Sequence, residues 1–215
     1  MARRTDAGAL PYDWDAGVAH LRTHDRRLAR LIDRSRPIRL ELAHTQSLFH
    51  ALAESIVYQQ LSGKAAATIF GRVRAIYAPK KFPTPAELAD TPPARLRAAG
   101  LSNAKTAAMI DLARRTASGE LPTLAQIRRL SDDEVVERLT VVRGIGPWTV
   151  HMLMIFRLGR PDVLPVADYG VRKGFAQTYR MKDLPTAVEL AAHAERWRPY
   201  RTLASWYMWR ALDSD

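Results

Sequence analysis

Apolar positions recur three and four residues apart along most of the chain, which is the period of helices with one buried face. In "HDRRLARLIDRSRPIRL" the apolar positions are Leu28, Leu31 and Ile32, set between arginines. "SLFHALAESIVYQQL" places Leu48, Leu52 and Ile56 on one stripe, with Leu61 in line to continue it. A short break then leads into a further helix, "SGKAAATIFGRVRAIY". "TPAELADTPPARLRAAG" reads as two short helices separated at Pro92-Pro93 and stopped by Gly100 as a left-handed C-cap. A helix opens at Ser102 and closes near Gly119, and Ser131 with Glu134 three residues on is a capping box for the next. The apolar "WTVHMLMIFRLG" and a final Trp-rich helix complete the series. "PDVLPVADY" is too short and Pro-broken for more than an extended segment. No solenoid repeat or low-complexity tract interrupts this pattern. The expected class is all-α, in two lobes.

Composition narrows the chemistry. The 215 residues include no cysteine, which excludes disulfides, thiolate nucleophiles and cysteine-held zinc or iron–sulfur centres. Of the six histidines only His20 and His24 stand four apart and the rest are scattered, so no catalytic metal is expected. Lys and Arg number 33 against 22 Asp and Glu, a net charge of +11. Such an excess suits a polyanionic partner, nucleic acid being the commonest, although an arginine run such as that around Leu28 reads equally as a solvated helix face. No apolar run is long enough to span a bilayer, and "MARRTDAGALPYDWD" lacks the apolar centre of a signal peptide. A soluble, cytoplasmic protein is the expectation, with no membrane partner.

The punctuation in "VVRGIGPWTV" carries the first functional signal. Gly144 and Gly146 can take positive φ at little cost and let the backbone double back, and Pro147 suits the first turn of a helix. Amides at that helix start, with those of the hairpin, make a phosphate-binding concavity. Its residues are Arg143, Gly144, Ile145, Gly146, Trp148 and Thr149, and the bland alternative is a plain helix–turn–helix connection. Asp168, in "LPVADYG", stands twenty positions after Trp148 and is also placed to cap a helix. Asp132, Asp133 and Glu134 sit at a helix start, and Asp162 is placed to brace the loop before Asp168.

"VVRGIGPWTVHMLMIFRLGRPDVLPVADYGVRKGF" resembles the signature of the helix-hairpin-helix DNA glycosylases, and is most similar to their 3-methyladenine DNA glycosylase II branch. The likeness continues through "IVYQQLSGKAA", "GLSNAKTAAMIDLA" and "AERWRPYRTLASWYMWRALD", covering about residues 45 to 212. It implies a two-lobed helical fold with the active-site cleft between the lobes. One lobe is 49–160 with the hairpin, and the other is formed by 1–48 and 161–215. The larger bacterial members begin with a mixed α/β domain; the segment before the likeness lacks strand periodicity, so that domain is expected to be absent.

The resemblance also implies roles. Asp168 is the catalytic carboxylate, which stabilises the cationic sugar as an alkylated base leaves and orients a water. Trp148 stands where strand-nicking relatives carry a lysine, and Lys105, Lys173 and Lys182 do not fit that motif, so a monofunctional glycosylase without lyase activity is expected. Leu61 corresponds to the wedge that fills the gap left by the flipped nucleotide, the competing reading being a core residue; Gln59 and Gln60 are its polar neighbours. Trp209 is the pocket tryptophan, with Trp148, Trp206 and Tyr58 as further walls for the base. Main-chain oxygens of Thr140, Val142 and Ile145 are the implied ligands of a monovalent Na+ or K+; no other cofactor is required. The implied partner is damaged double-stranded DNA bound by a monomer, nucleoid-associated in a bacterium; Arg143, Arg172 and Lys173, near the hairpin, are the candidate DNA contacts. The implied activity is excision of 3-methyladenine- and 7-methylguanine-type bases. Alternatives are a glycosylase for uracil or hypoxanthine, or a helix-hairpin-helix protein that only binds DNA.

Overall fold

The computed structural model describes residues 8–213, which contain thirteen α-helices and no strand. The chain divides into two units, one from residues up to His44 together with those from His151 onward, the other Thr45–Val150. These are called the terminal and the central unit below. The divisions fall after residues 44 and 150, where the sequence reading put them after 48 and 160.

The terminal unit opens with α1 (Trp14–His24) and α2 (Arg26–Arg34). Asp13 caps α1, and Asp25 caps α2 through the amides of Arg27 and Leu28. The stripe of α2 is buried as expected at Leu28, Leu31 and Ile32.

The central unit follows with α3 (Leu48–Tyr58), α4 (Gly63–Ala75), α5 (Pro85–Ala89), α6 (Pro93–Ala98), α7 (Asn103–Ala117), α8 (Leu124–Ile127) and α9 (Asp132–Thr140). Its axis is α7, against which α3, α5 and α6 pack. Small residues make this close packing feasible: α7 buries Ala108 and Ala113 beside Met109 and Leu112. Nearly every start is capped as its sequence dictates, by Ser47, Ser62, Thr84, Ser102, Thr123 and Ser131. The box at Ser131 and Glu134 forms as expected, and so do boxes at Thr84 and Thr123 that the sequence reading passed over. Gly100, at φ +108, is the left-handed stop expected of it. The stripe of α3 is buried at Leu48, Leu52 and Ile56. Leu61 lies beyond the helix and is 39% exposed, so it is not a core residue.

Helix α10 (Pro147–Leu153) carries the chain from the central into the terminal unit and widens into a π-helical turn, Met154–Leu158. Gly159, at φ +68, ends that turn where a Cβ would stand 2.6 Å from Pro11 Cδ. The terminal unit closes with α11 (Tyr169–Tyr179), α12 (Ala187–Ala194), a 3-10 turn (Glu195–Trp197) and α13 (Arg201–Arg210). Helices α11 and α13 are pressed together at Gly174, where an added Cβ would lie 1.9 Å from the Met208 carbonyl oxygen. Only glycine permits that approach.

Candidate active site and nucleic-acid interface

In the terminal unit, two hydrogen bonds converge on one oxygen of Asp168. Oδ1 accepts from the Val171 amide at 2.8 Å, which caps α11, and from Trp209 Nε1 at 2.8 Å. The N-cap reading holds, and the cap keeps the carboxylate half-buried at the positive end of a helix. The chain leading up to it is tied down just as tightly. The Asp168 amide donates to Pro165 O at 2.9 Å, and Thr202 Oγ1 donates to Arg160 O at 2.6 Å while accepting from the Val163 amide at 3.0 Å. Asp162 braces this loop as expected: it takes Arg201 Nε at 2.8 Å and Arg198 NH1 at 2.9 Å.

Trp209 reaches Asp168 because position 170 has no side chain. A Cβ on Gly170 would lie 2.8 Å from Trp209 Cδ1, 3.0 Å from its Nε1 and 3.1 Å from Asp168 Oδ1. Behind the indole stands Phe156, stacked at a centroid distance of 5.6 Å with ring planes 27° apart. Phe156 belongs to the π-helical turn, a distortion found frequently at functional sites. Neither Phe156 nor Gly170 was singled out from the sequence; the interruption "DYGVRKGF", with glycines four apart on one helix face, was the available signal.

Trp206 stands three residues before Trp209 on α13. Its indole N–H donates to Ile38 O at 3.1 Å and the Arg210 guanidinium lies over its ring at 4.7 Å. With Phe156 and residues 37–41 it lines an open groove of about 710 Å³.

In the central unit, the connection from α9 to α10 is a tight turn. Gly144 adopts φ +77. Gly146 does not take a positive φ: it precedes Pro147, and the residue before a proline is pushed to extended backbone. Its carbonyl instead accepts the first bond of α10, from the Val150 amide at 3.2 Å. A Cβ at Gly146 would meet nothing within 4 Å, so its smallness leaves the turn open to approach. Val142 and Ile145 are buried anchors, and the Ile145 amide donates to Val142 O at 3.0 Å. The Arg143 amide is taken by Asp111 Oδ2 at 2.8 Å, while the residue itself is exposed. Trp148 is 45% exposed and Thr149 is buried.

The α3–α4 loop, Gln59 to Ser62, is bound to this turn. Gln59 Nε2 donates to Gly144 O at 3.0 Å and to Thr149 Oγ1 at 3.3 Å. Its amide thus braces the loop instead of standing free beside Leu61. Lys105 Nζ donates to Val57 O at 2.8 Å and Gln59 O at 2.7 Å, closing the end of α3; burial pulls its pKa down. Gln60 is exposed at φ +56. Tyr58 sets its ring edge-on to Phe70 at 6.4 Å.

An all-helical chain with a glycine turn beside a braced, Leu-tipped loop, and a capped carboxylate under a tryptophan, defines a class built around a helix-hairpin-helix. Residues 53–199 match the HhH-GPD superfamily of base excision DNA repair proteins, and the chain belongs to that family. It is 39% identical to DNA-3-methyladenine glycosylase 1 of Schizosaccharomyces pombe over 86% of this chain and 80% of that one. Among solved structures it is similar to the S. pombe 3-methyladenine DNA glycosylase in complex with abasic DNA, with TM-score 0.76 and 37% identity over 91% of this chain and 95% of that one. It is similar also to a DNA-3-methyladenine glycosidase from Bacillus halodurans, with TM-score 0.82 and 34% identity over 91% and 88% of the two chains.

Proposed function

We infer that the protein is a DNA glycosylase that excises alkylated bases, of the 3-methyladenine and 7-methylguanine type, from duplex DNA. The observation that carries this reading is the Asp168–Trp209 pair: a carboxylate fixed by two bonds to one oxygen, with an indole against it. A ring-alkylated base already bears positive charge, so its departure needs little acid assistance. What the reaction lacks is a fixed negative charge near the sugar as the bond to the base breaks, and Asp168 supplies it. The same carboxylate orients the water that completes hydrolysis. A simple DNA-binding module needs neither group.

The remaining parts follow from the need to take the base out of the stack. Leu61, exposed on a loop that Gln59 and Lys105 hold in place, is the wedge. Backbone amides of the turn from Gly144 to Thr149, other than that of Ile145, which is given to Val142 O, hold a phosphate without reading sequence. Trp209 and Phe156 supply aromatic faces to a cationic base. A monovalent cation is supported at one point: α9 ends at Thr140, whose carbonyl lies in the last turn, while the Val142 oxygen also accepts from the Ile145 amide. Thr140, Val142 and Ile145 would hold it, and its charge would support the phosphate.

The chemistry is hydrolytic only. Lys105 is committed to two carbonyls and Lys173 lies over the Tyr169 ring, which leaves Trp148 and not a lysine at the hairpin. The test is base release from methylated genomic DNA, read by mass. Wild-type protein should release 3-methyladenine and 7-methylguanine, and Asp168→Asn should release them about 100- to 1,000-fold more slowly while binding DNA as well. Undiminished release by Asp168→Asn removes the mechanism. Borohydride trapping of the wild-type protein on damaged DNA would refute the hydrolytic assignment.

A further inference from the structure

We propose that a groove on the terminal unit, walled by α2 and by the ends of α11 and α13, is a second phosphate-binding site that holds the backbone of duplex DNA. The proposal rests on the duplex-DNA reading above but concerns residues that reading does not use. Two adjoining hollows, of about 520 and 150 Å³, share Leu31, Arg34 and Gln177 and so form one groove. Six arginines line it: Arg27, Arg30, Arg34, Arg36, Arg180 and Arg210. One carboxylate lines it too, Asp213, and that is paired with Arg210 at 3.0 Å.

A solvated helix face is the alternative, and it makes a different demand on neighbouring acids. On a wet face, carboxylates three or four residues away normally offset such a run. Here the two acids of this stretch are spent elsewhere. Asp33 pairs with Arg22, and Asp25 is buried under Tyr179, His193 and Trp197. Among the described residues no carboxylate pairs with Arg30, Arg34, Arg36 or Arg180, and all four are exposed. Arg27, Arg30 and Arg34 lie on one face of α2, around the groove-lining Leu31. Arg27 is positioned by a bond to the Tyr179 carbonyl and lies over that residue's ring, with its other donors left for a ligand. Seven residues of helix rise about 10 Å, and a B-DNA strand carries one charge per ~3.4 Å along its axis. The row therefore matches about three successive phosphates.

The experiment uses the full chain and a fluorescein-labelled duplex without a lesion, followed by anisotropy over a salt series. Each lost phosphate contact flattens the plot of log affinity against log salt by about 0.9. The variant Arg30→Gln, Arg34→Gln, Arg36→Gln alters only exposed side chains and should melt with the wild type. Its slope should be shallower by about 2 to 3. Single-turnover base release at saturating enzyme should be unchanged. Because the chain has no cysteine, Arg34→Cys and Val188→Cys can each carry a single photo-crosslinker; Val188 is 78% exposed, outside the groove. Crosslinking to the duplex from position 34 and not from 188 supports the groove. A wild-type slope in the triple variant, or equal crosslinking from both positions, overturns it. Failure of the wild-type protein to bind duplex at all would instead remove the duplex-DNA reading, and the groove's ligand with it.

Discussion

At Gly170, exchanging one hydrogen for a methyl group would set a carbon 2.8 Å from Trp209 Cδ1 and 3.1 Å from Asp168 Oδ1. Trp209 is the movable partner, so the indole swings off the carboxylate and the 2.8 Å bond between them is lost. A hydrogen bond to a charged group contributes about 1.5 to 3 kcal/mol. Gly170→Ala is therefore expected to slow base release by about 10- to 100-fold. The affinity for duplex DNA should stay close to wild type, as binding assays on both proteins would check. Trp209→Phe retains an aromatic face and loses the donor, so it should slow release by about tenfold or more in the same assay. If both variants release bases at the wild-type rate, Trp209 does not orient Asp168. The N-cap at Asp168 was legible in the sequence, because a cap acts within three residues of its own helix start. Gly170 and Phe156 were not, because their roles arise from contacts with α13, a helix distant in the chain.

At the level of elements, the meeting of α11 and α13 is set by Gly174. The contact there is with backbone: a Cβ at this position would stand 1.9 Å from the Met208 carbonyl oxygen, and no rotamer change can relieve it. Gly174→Ala should cost about 3 kcal/mol or more, read from urea unfolding. A cost below ~1 kcal/mol would mean the helices separate easily. In the central unit the end of α3 depends on Lys105, whose ammonium satisfies two carbonyls that no helical amide reaches. Lys105→Met should leave those carbonyls without the donor and destabilise the unit by about 1 to 3 kcal/mol. Amide exchange in residues 59–62 should quicken more than in α7, as hydrogen exchange would measure. Caps and helix periods made most of these elements legible, since both act over three or four residues. The π-helical turn after Leu153 was not, because nothing in the apolar run distinguishes it from ordinary helix.

Across the whole molecule, one buried carboxylate does for the terminal unit what no surface pair could. Asp25 caps α2 through Oδ1, and its Oδ2 accepts from Tyr179 at 2.5 Å, His193 at 2.9 Å and Trp197 at 2.9 Å. Because an ionised carboxylate only accepts, the His193 Nε2 carries the proton. Burial pushes the Asp25 pKa up, but the bonds from His193, Tyr179, the Leu28 amide and Trp197 outweigh it and hold the pKa well below the usual carboxylate range. A depressed folded-state pKa contributes stability that is complete above the unfolded value near 4 and is lost as pH falls below it. Asp25→Asn should therefore destabilise the protein by about 3 kcal/mol at pH 7, and the gap should narrow as unfolding is followed from pH 5 downward. A gap constant through that range would show that the carboxylate's charge is not what matters. Charge also acts at this scale: a net +11 pointed to a polyanion, but which arginines face one another across a groove depended on chain reversals between α2, α11 and α13.

By itself the sequence determined the all-helical class, most helix starts and stops, the tight turn at Gly144, and the N-cap at Asp168. These follow from interactions between near neighbours: side-chain period, caps, and the reach of a left-handed glycine. Only the tertiary structure decided that Trp209 rests on Asp168, that Gln59 ties its loop to Gly144, and that Asp25 joins α2 to residues 179, 193 and 197. Those contacts span 41 to 172 residues, and their geometry is set by how closely helices pack, which no local pattern specifies.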